Sequence, residues 1–149
     1  MLRPLATGLA LALATAIPAL AETIEIQMLN KGADGERMVF EPDVVRAQPG
    51  DVLRFVAADK GHNAESILEM MPEGAEAFKG RINEEIEVTL TEEGLYAIQC
   101  KPHYAMGMVM TVAVGDAEVP DGFLEGRIPR KAKERFEAQL GELAEMAGS

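Results

Sequence analysis

From position 22 onward, apolar and polar residues alternate in short runs. Ile24, Ile26 and Met28 are interleaved with Thr23, Glu25 and Gln27, which predicts a strand with one face in a core. Met38-Val39-Phe40 is a brief apolar run that Pro42 stops. Over 52–57, Leu53 and Phe55 fall on one side and Arg54 on the other. Ile86, Val88 and Leu90 alternate with Glu85, Glu87 and Thr89. Tyr96, Ile98 and Cys100 share a face of a strand over 95–100, and Met108, Met110, Val112 and Val114 share a face of the next. Between these runs, Gln48-Pro49-Gly50-Asp51 has the proline and glycine that a type II turn requires, and Glu93-Gly94 marks another turn. Segments 30–35 and 59–63 are loops, and 64–79 is irregular or weakly helical around Pro72-Glu73-Gly74. Short strands at near-regular spacing predict an all-β, antiparallel sandwich over 22–115.

After Gly115 the period changes. Ile128, Ala132, Phe136, Leu140, Leu143 and Ala144 recur at helical spacing among charged residues, predicting an amphipathic helix over 129–146 with Pro129 in its first turn. A shorter helix is expected over 120–126. The extension 116–149 would lay its apolar stripe on the sandwich.

The first 21 residues follow a third pattern. Arg3 precedes an apolar run from Leu5 to Leu20 that ends on Ala19-Leu20-Ala21. That is the form of a secretory signal peptide, cleaved to leave a chain starting at Glu22. The run is short for a membrane anchor, and Glu22 follows it at once. The alanine-rich leader points to a bacterial periplasm.

Composition narrows the reading. The chain of 149 residues suits one domain. Its 25 acidic residues against 14 basic ones give a net charge of −11, and loss of Arg3 with the leader makes it more negative. So acidic a chain is a poor ligand for nucleic acid or anionic membranes. There is one cysteine, so no intrachain disulfide can form, and an unpaired thiol outside the cytoplasm calls for an occupant.

That cysteine lies in "CKPHYAMGM", residues 100–108, with two residues between it and His103 and four between His103 and Met108. Strand parity points Cys100 and Met108 toward the core. The other histidine, His62, sits in its own loop. One thiolate, two imidazoles and a weak axial thioether are the donors of a blue-copper centre. Each residue alone is generic: a buried cysteine, a surface histidine, a core methionine. Zinc also takes Cys and His, although it prefers four strong donors and methionine is a poor one. Met106 is a second candidate for the thioether.

The stretches "MLNKGADG", "MVFEP", "PGD", "DKGHN", "MPEGAEAFK", "INE" and "CKPHYAMGM" occur in the order found in one group of blue copper proteins. On them, nearly the whole of 22–149 resembles the cupredoxins, and among them the pseudoazurin family. Plastocyanins share the Cys-x2-His-x4-Met spacing but lack a C-terminal helical extension. The resemblance implies an eight-stranded Greek-key sandwich followed by two C-terminal helices. It implies one type 1 copper held by His62, Cys100, His103 and Met108, with Met108 axial. By the same resemblance Asn63 braces the ligand loops and bonds toward the cysteine sulfur, Met38 and Pro102 pack around the exposed histidine, and Tyr96 is structural.

The function so implied is electron carriage in the periplasm by a non-enzymatic monomer. Partners would be copper nitrite reductase, nitrous oxide reductase or c-type cytochromes. His103 would be the electron port, in a patch with Met38, Pro102 and Met106. Lys31, Lys60, Lys79, Arg81 and Lys101 could ring that end despite the acidic total. The competing expectations are a copper-delivery protein without a redox role, and a metal-free sandwich.

Overall fold

A computed structural model describes residues 20–149. The expected leader lies outside the described residues except for its last two positions. Eight strands form two sheets. The first contains β2 (Arg37–Glu41), β1 (Thr23–Lys31), β4 (Val52–Val56) and β6 (Ile86–Thr89), in that order. The second contains β3 (Val44–Ala47), β8 (Val109–Val114), β7 (Gly94–Gln99) and β5 (Glu65–Ser66). The strand spacing predicts an antiparallel sandwich, but the sheets are mixed. β1 runs parallel to β4 and β3 parallel to β8, while the other neighbours are antiparallel. Alternation within a strand fixes which face is buried, but not the direction of its neighbour.

Each strand buries the face its pattern marks. Ile26 and Met28 of β1, Leu53 and Phe55 of β4, Tyr96 and Ile98 of β7, and Met110, Val112 and Val114 of β8 meet between the sheets, with Cys100 and Met108 in the same core. Phe40 and Phe55 pack edge to face with centroids 5.9 Å apart. The 48–51 turn forms as expected: Asp51 N–H donates to Gln48 O, and Gly50 takes a φ of 99° that its missing side chain permits. Segment 64–79 holds β5 and one 3-10 turn over Leu68–Met70.

The second sheet is apolar on both faces. Its outer residues Val44, Leu95, Ala97, Val109 and Ala113 are covered by α1 (Arg130–Ala147) through Ala132, Phe136 and Leu143. Pro129 caps this helix and does not lie within it. The buried stripe includes one polar residue, Gln139, and leaves Ala144 exposed. Gln139 accepts a hydrogen bond from Thr111 Oγ1 and donates to Val109 O and Asp43 Oδ2, so every hydrogen-bonding group it buries is used. The helix expected over 120–126 does not form. Val119-Pro120-Asp121-Gly122 gives consecutive turns, and Phe123 drops into the outer core without a helix behind it. No helix among the described residues is long and apolar enough to cross a membrane.

Candidate metal centre

Two loops at one end of the sandwich carry the four candidate residues. His62 lies between β4 and β5. Cys100 follows β7 directly, and tight 3-10 turns over Lys101–Met106 lead back to β8. Pro102 stands at the start of these turns, where no N–H is needed. Cys100 N–H donates to Met108 O, Met108 N–H to His103 O, His103 N–H to Cys100 O, and Gly107 N–H to Tyr104 O. This mutual bonding closes the hairpin and sets Cys100 and Met108 side by side at its base.

The sulfur of Cys100 lies 3.5 Å from Nδ1 of His103 and 3.8 Å from Nδ1 of His62, and the two nitrogens are 3.1 Å apart. A point equidistant from all three is about 2.0 Å from each, close to the ~2.0–2.3 Å of metal–nitrogen and metal–sulfur bonds. The residues therefore fit a metal ion at their centre. Among the described residues they are the one group of His, Cys, Asp and Glu side chains so placed. His62, Cys100 and Met108 are fully buried and His103 is half-buried. Met106, the alternative thioether, is 42% exposed.

The surroundings prepare the donors. His62 Nε2 lies 2.9 Å from Asn30 Oδ1. An N–H there donates to the amide oxygen and leaves Nδ1 with a free lone pair facing the site. Burial, helped by the nearby His103, holds His62 below its ordinary pKa of 6.5, with Asp59 opposing. Burial pushes the Cys100 thiol above its ordinary 9.0. Backbone N–H groups of Asn63 and His103 pull it down, and the Glu65 carboxylate pushes it further up. At neutral pH the metal-free site thus holds a neutral imidazole and a protonated thiol, and metal binding expels the thiol proton.

Asn63 ties the loops together. Its Oδ1 accepts from Lys101 N–H at 2.7 Å, and its Nδ2 donates to Gly80 O and Glu65 Oε2. Toward the sulfur it offers its backbone N–H; its side-chain amide is engaged elsewhere. Glu65 is itself buried and also accepts from Gln99 Nε2. Sequence reasoning missed Asn30 and Glu65. A polar residue at a strand end and an acid beside a loop are common, and nothing local marks either.

Lys79, Arg81 and Lys101 line a shallow depression with Asn63, Ile82 and Pro102 beside the ligand loops. Lys31 and Lys60 are exposed, and none of these five cations joins an ion pair among the described residues.

A soft thiolate, two imidazoles and a neighbouring thioether at one end of an eight-stranded sandwich define a type 1 copper centre in a cupredoxin fold. The sequence profile of the copper binding proteins, plastocyanin/azurin family, matches residues 26–115. The pseudoazurin of Paracoccus pantotrophus is 52% identical over 140 residues, 93% of this chain and 96% of that protein. A solved pseudoazurin from Sinorhizobium meliloti has 48% identity and a TM-score of 0.79, covering 82% of this chain and 96% of that one. The pseudoazurin of Methylobacterium extorquens AM1 has 36% identity and a TM-score of 0.76, covering 82% and 99%. The chain belongs to the copper-binding plastocyanin/azurin family and, within it, to the pseudoazurins. Its cofactor is copper, and its centre is that of an electron-transfer protein.

Proposed function

We propose that the protein is an exported single-electron carrier and not an enzyme, in which His62, Cys100 and His103 would hold the copper and Met108 would add a weak thioether donor. The observation that carries this reading is the converged set of donors, buried except at His103. Bound copper supplies the one-electron couple between Cu(I) and Cu(II). The soft Cys100 sulfur favours the reduced ion, and the imidazoles accept both. The closed hairpin and the Asn63 brace hold these side chains in one arrangement, so little has to move when the charge changes. Burial of Cys100, His62 and Met108 leaves a substrate no approach to the metal.

Electrons pass at the half-buried His103, beside the exposed Pro102 and Met106 and the half-buried Met38. The unpaired cations at that end would steer acidic faces of copper nitrite reductase, nitrous oxide reductase or c-type cytochromes toward it. The carrier works as a monomer in the periplasm. Export after cleavage at Ala21 is supported by the sheet, which begins at Thr23 with Glu22 N–H already bonded to Asp51.

The test is a visible spectrum after Cu(II) is added to the metal-free protein. An intense thiolate-to-copper band that bleaches on reduction and returns on oxidation is expected. A faint band with Cys100 still titratable would favour copper delivery without a redox role. Neutralising Lys60 and Lys101 together should slow electron transfer to an acidic partner and flatten its salt dependence. An unchanged rate would remove the steering role.

A further inference from the structure

Among the contacts of the C-terminal helix with the copper end, one side chain makes a cluster of hydrogen bonds there. Arg135 is 15% exposed and donates four hydrogen bonds. Its Nη1 bonds the carbonyl oxygens of Met38 and Gly107, each at 2.7 Å. Its Nη2 bonds Arg37 O at 2.8 Å and the Glu36 carboxylate at 3.1 Å. Three separate pieces of chain thus meet on one planar fork, a geometry lysine cannot reproduce.

Two of the acceptors sit in unusual backbone. Met38 has a φ of 54° without being glycine, and Gly107 has a φ of 87°. Gly107 lies so close to the helix that a Cβ would meet Lys131 Cγ at 3.0 Å and Arg135 Cδ at 3.1 Å. It directly precedes Met108, and Met38 packs against the core that holds Cys100 and Met108.

We propose that Arg135 is a positioning residue for the copper centre: by fixing the carbonyls of Gly107 and Met38, it sets how closely the Met108 thioether is held to the other three donors. This rests on the ligand assignment above. The competing role is simple anchorage of the helix, and the protein contains a control for it. Arg46, on β3, donates from Nη2 to Leu143 O at 2.8 Å, near the helix's other end.

The experiment compares wild type, R135A, R135K and R46A. Copper-loaded proteins are read by the ratio of the short- to long-wavelength thiolate-to-copper bands and by reduction potential. Metal-free proteins are read by hydrogen exchange at Met108 N–H. A loosened hairpin would weaken the hold of the Met108 thioether on bound copper, which would favour Cu(I). Both R135A and R135K should therefore lose short-wavelength intensity and gain potential. Their Met108 exchange should quicken by about tenfold, as loss of charge-assisted bonds implies. R46A should stay at wild-type values in all three.

Wild-type values in R135K would assign the effect to charge and overturn positioning. Equal shifts in R46A and R135A would reduce Arg135 to an anchor. If R135A does not fold, R135K decides alone. If wild type itself lacks an intense band, the ligand assignment has failed, and exchange in the metal-free variants still decides whether Arg135 holds the hairpin.

Discussion

His62 and His103 offer the same atom, Nδ1, to one site from two loops that are held differently. The His62 loop contributes a single donor. It is fully buried and locked by Asn30 from β1 and, through its neighbour Asn63, by the opposing loop. The 100–108 hairpin contributes the rest, is closed by its own backbone bonds, and leaves His103 at the surface. One half of the centre is thus wholly buried and fixed by distant residues, while the other is closed largely by its own backbone bonds and reaches the surface at His103. An electron carrier needs both, because a rigid site must still touch its partner.

The sharpest way to break this contrast is to remove each ring. His103→Gly opens a hole at the surface, and added imidazole should enter it and restore the intense band. His62→Gly opens a hole inside the core, and imidazole should not restore the band there. Equal rescue of both, read by absorption titration, would erase the distinction between a buried and a port histidine.

A smaller effect is expected at Asn30. Asn30→Ala removes the acceptor that fixes the His62 ring, and copper affinity should fall roughly 10–100-fold with the fold intact. Competition with a chelator of known affinity measures it. An unchanged affinity would mean that burial alone orients the ring.

The smallest effect is in the metal-free protein. His62 is held below its ordinary pKa, so the unfolded chain takes up a proton first as pH falls. Stability is full above about 6.5 and declines as pH drops toward the folded value. Cys100 is held above its ordinary value, so the unfolded chain loses its proton first as pH rises. That contribution is full below about 9 and declines above it. Denaturant melts across pH should show losses on both sides, with the loss that begins near pH 9 reduced in Cys100→Ala and the part above about 10 kept, because burial also holds Tyr96 and Tyr104 above their ordinary value. A flat profile would contradict the buried, neutral form of the site.

The contrast also explains what the sequence discloses. Strand parity and the Cys-x2-His-x4-Met spacing are local, and the pleat and the closed hairpin convert them directly into positions. The convergence of His62 on that hairpin follows from chemistry, because only two imidazoles exist to complete the set. The parallel pairings of β1 with β4 and of β3 with β8 depend on how the chain returns, which alternation does not encode. Asn30, Glu65, Gln139 and Arg135 act across 28 to 98 residues of chain, and each looks like an ordinary surface polar residue from its neighbours. The helix expected over 120–126 fails for the opposite reason. Its proline and glycine are local signals that the apolar residues beside them could not outweigh.

On the proposed function, one set of folded loops presents the same donors to both oxidation states. Copper K-edge X-ray absorption on the oxidised and reduced protein at neutral pH tests it most directly. One short sulfur and two nitrogen neighbours are expected in both states, with nearly equal distances. Loss of the sulfur, or of a nitrogen on reduction, would contradict it and would mean that the loops do not hold the metal through the electron cycle.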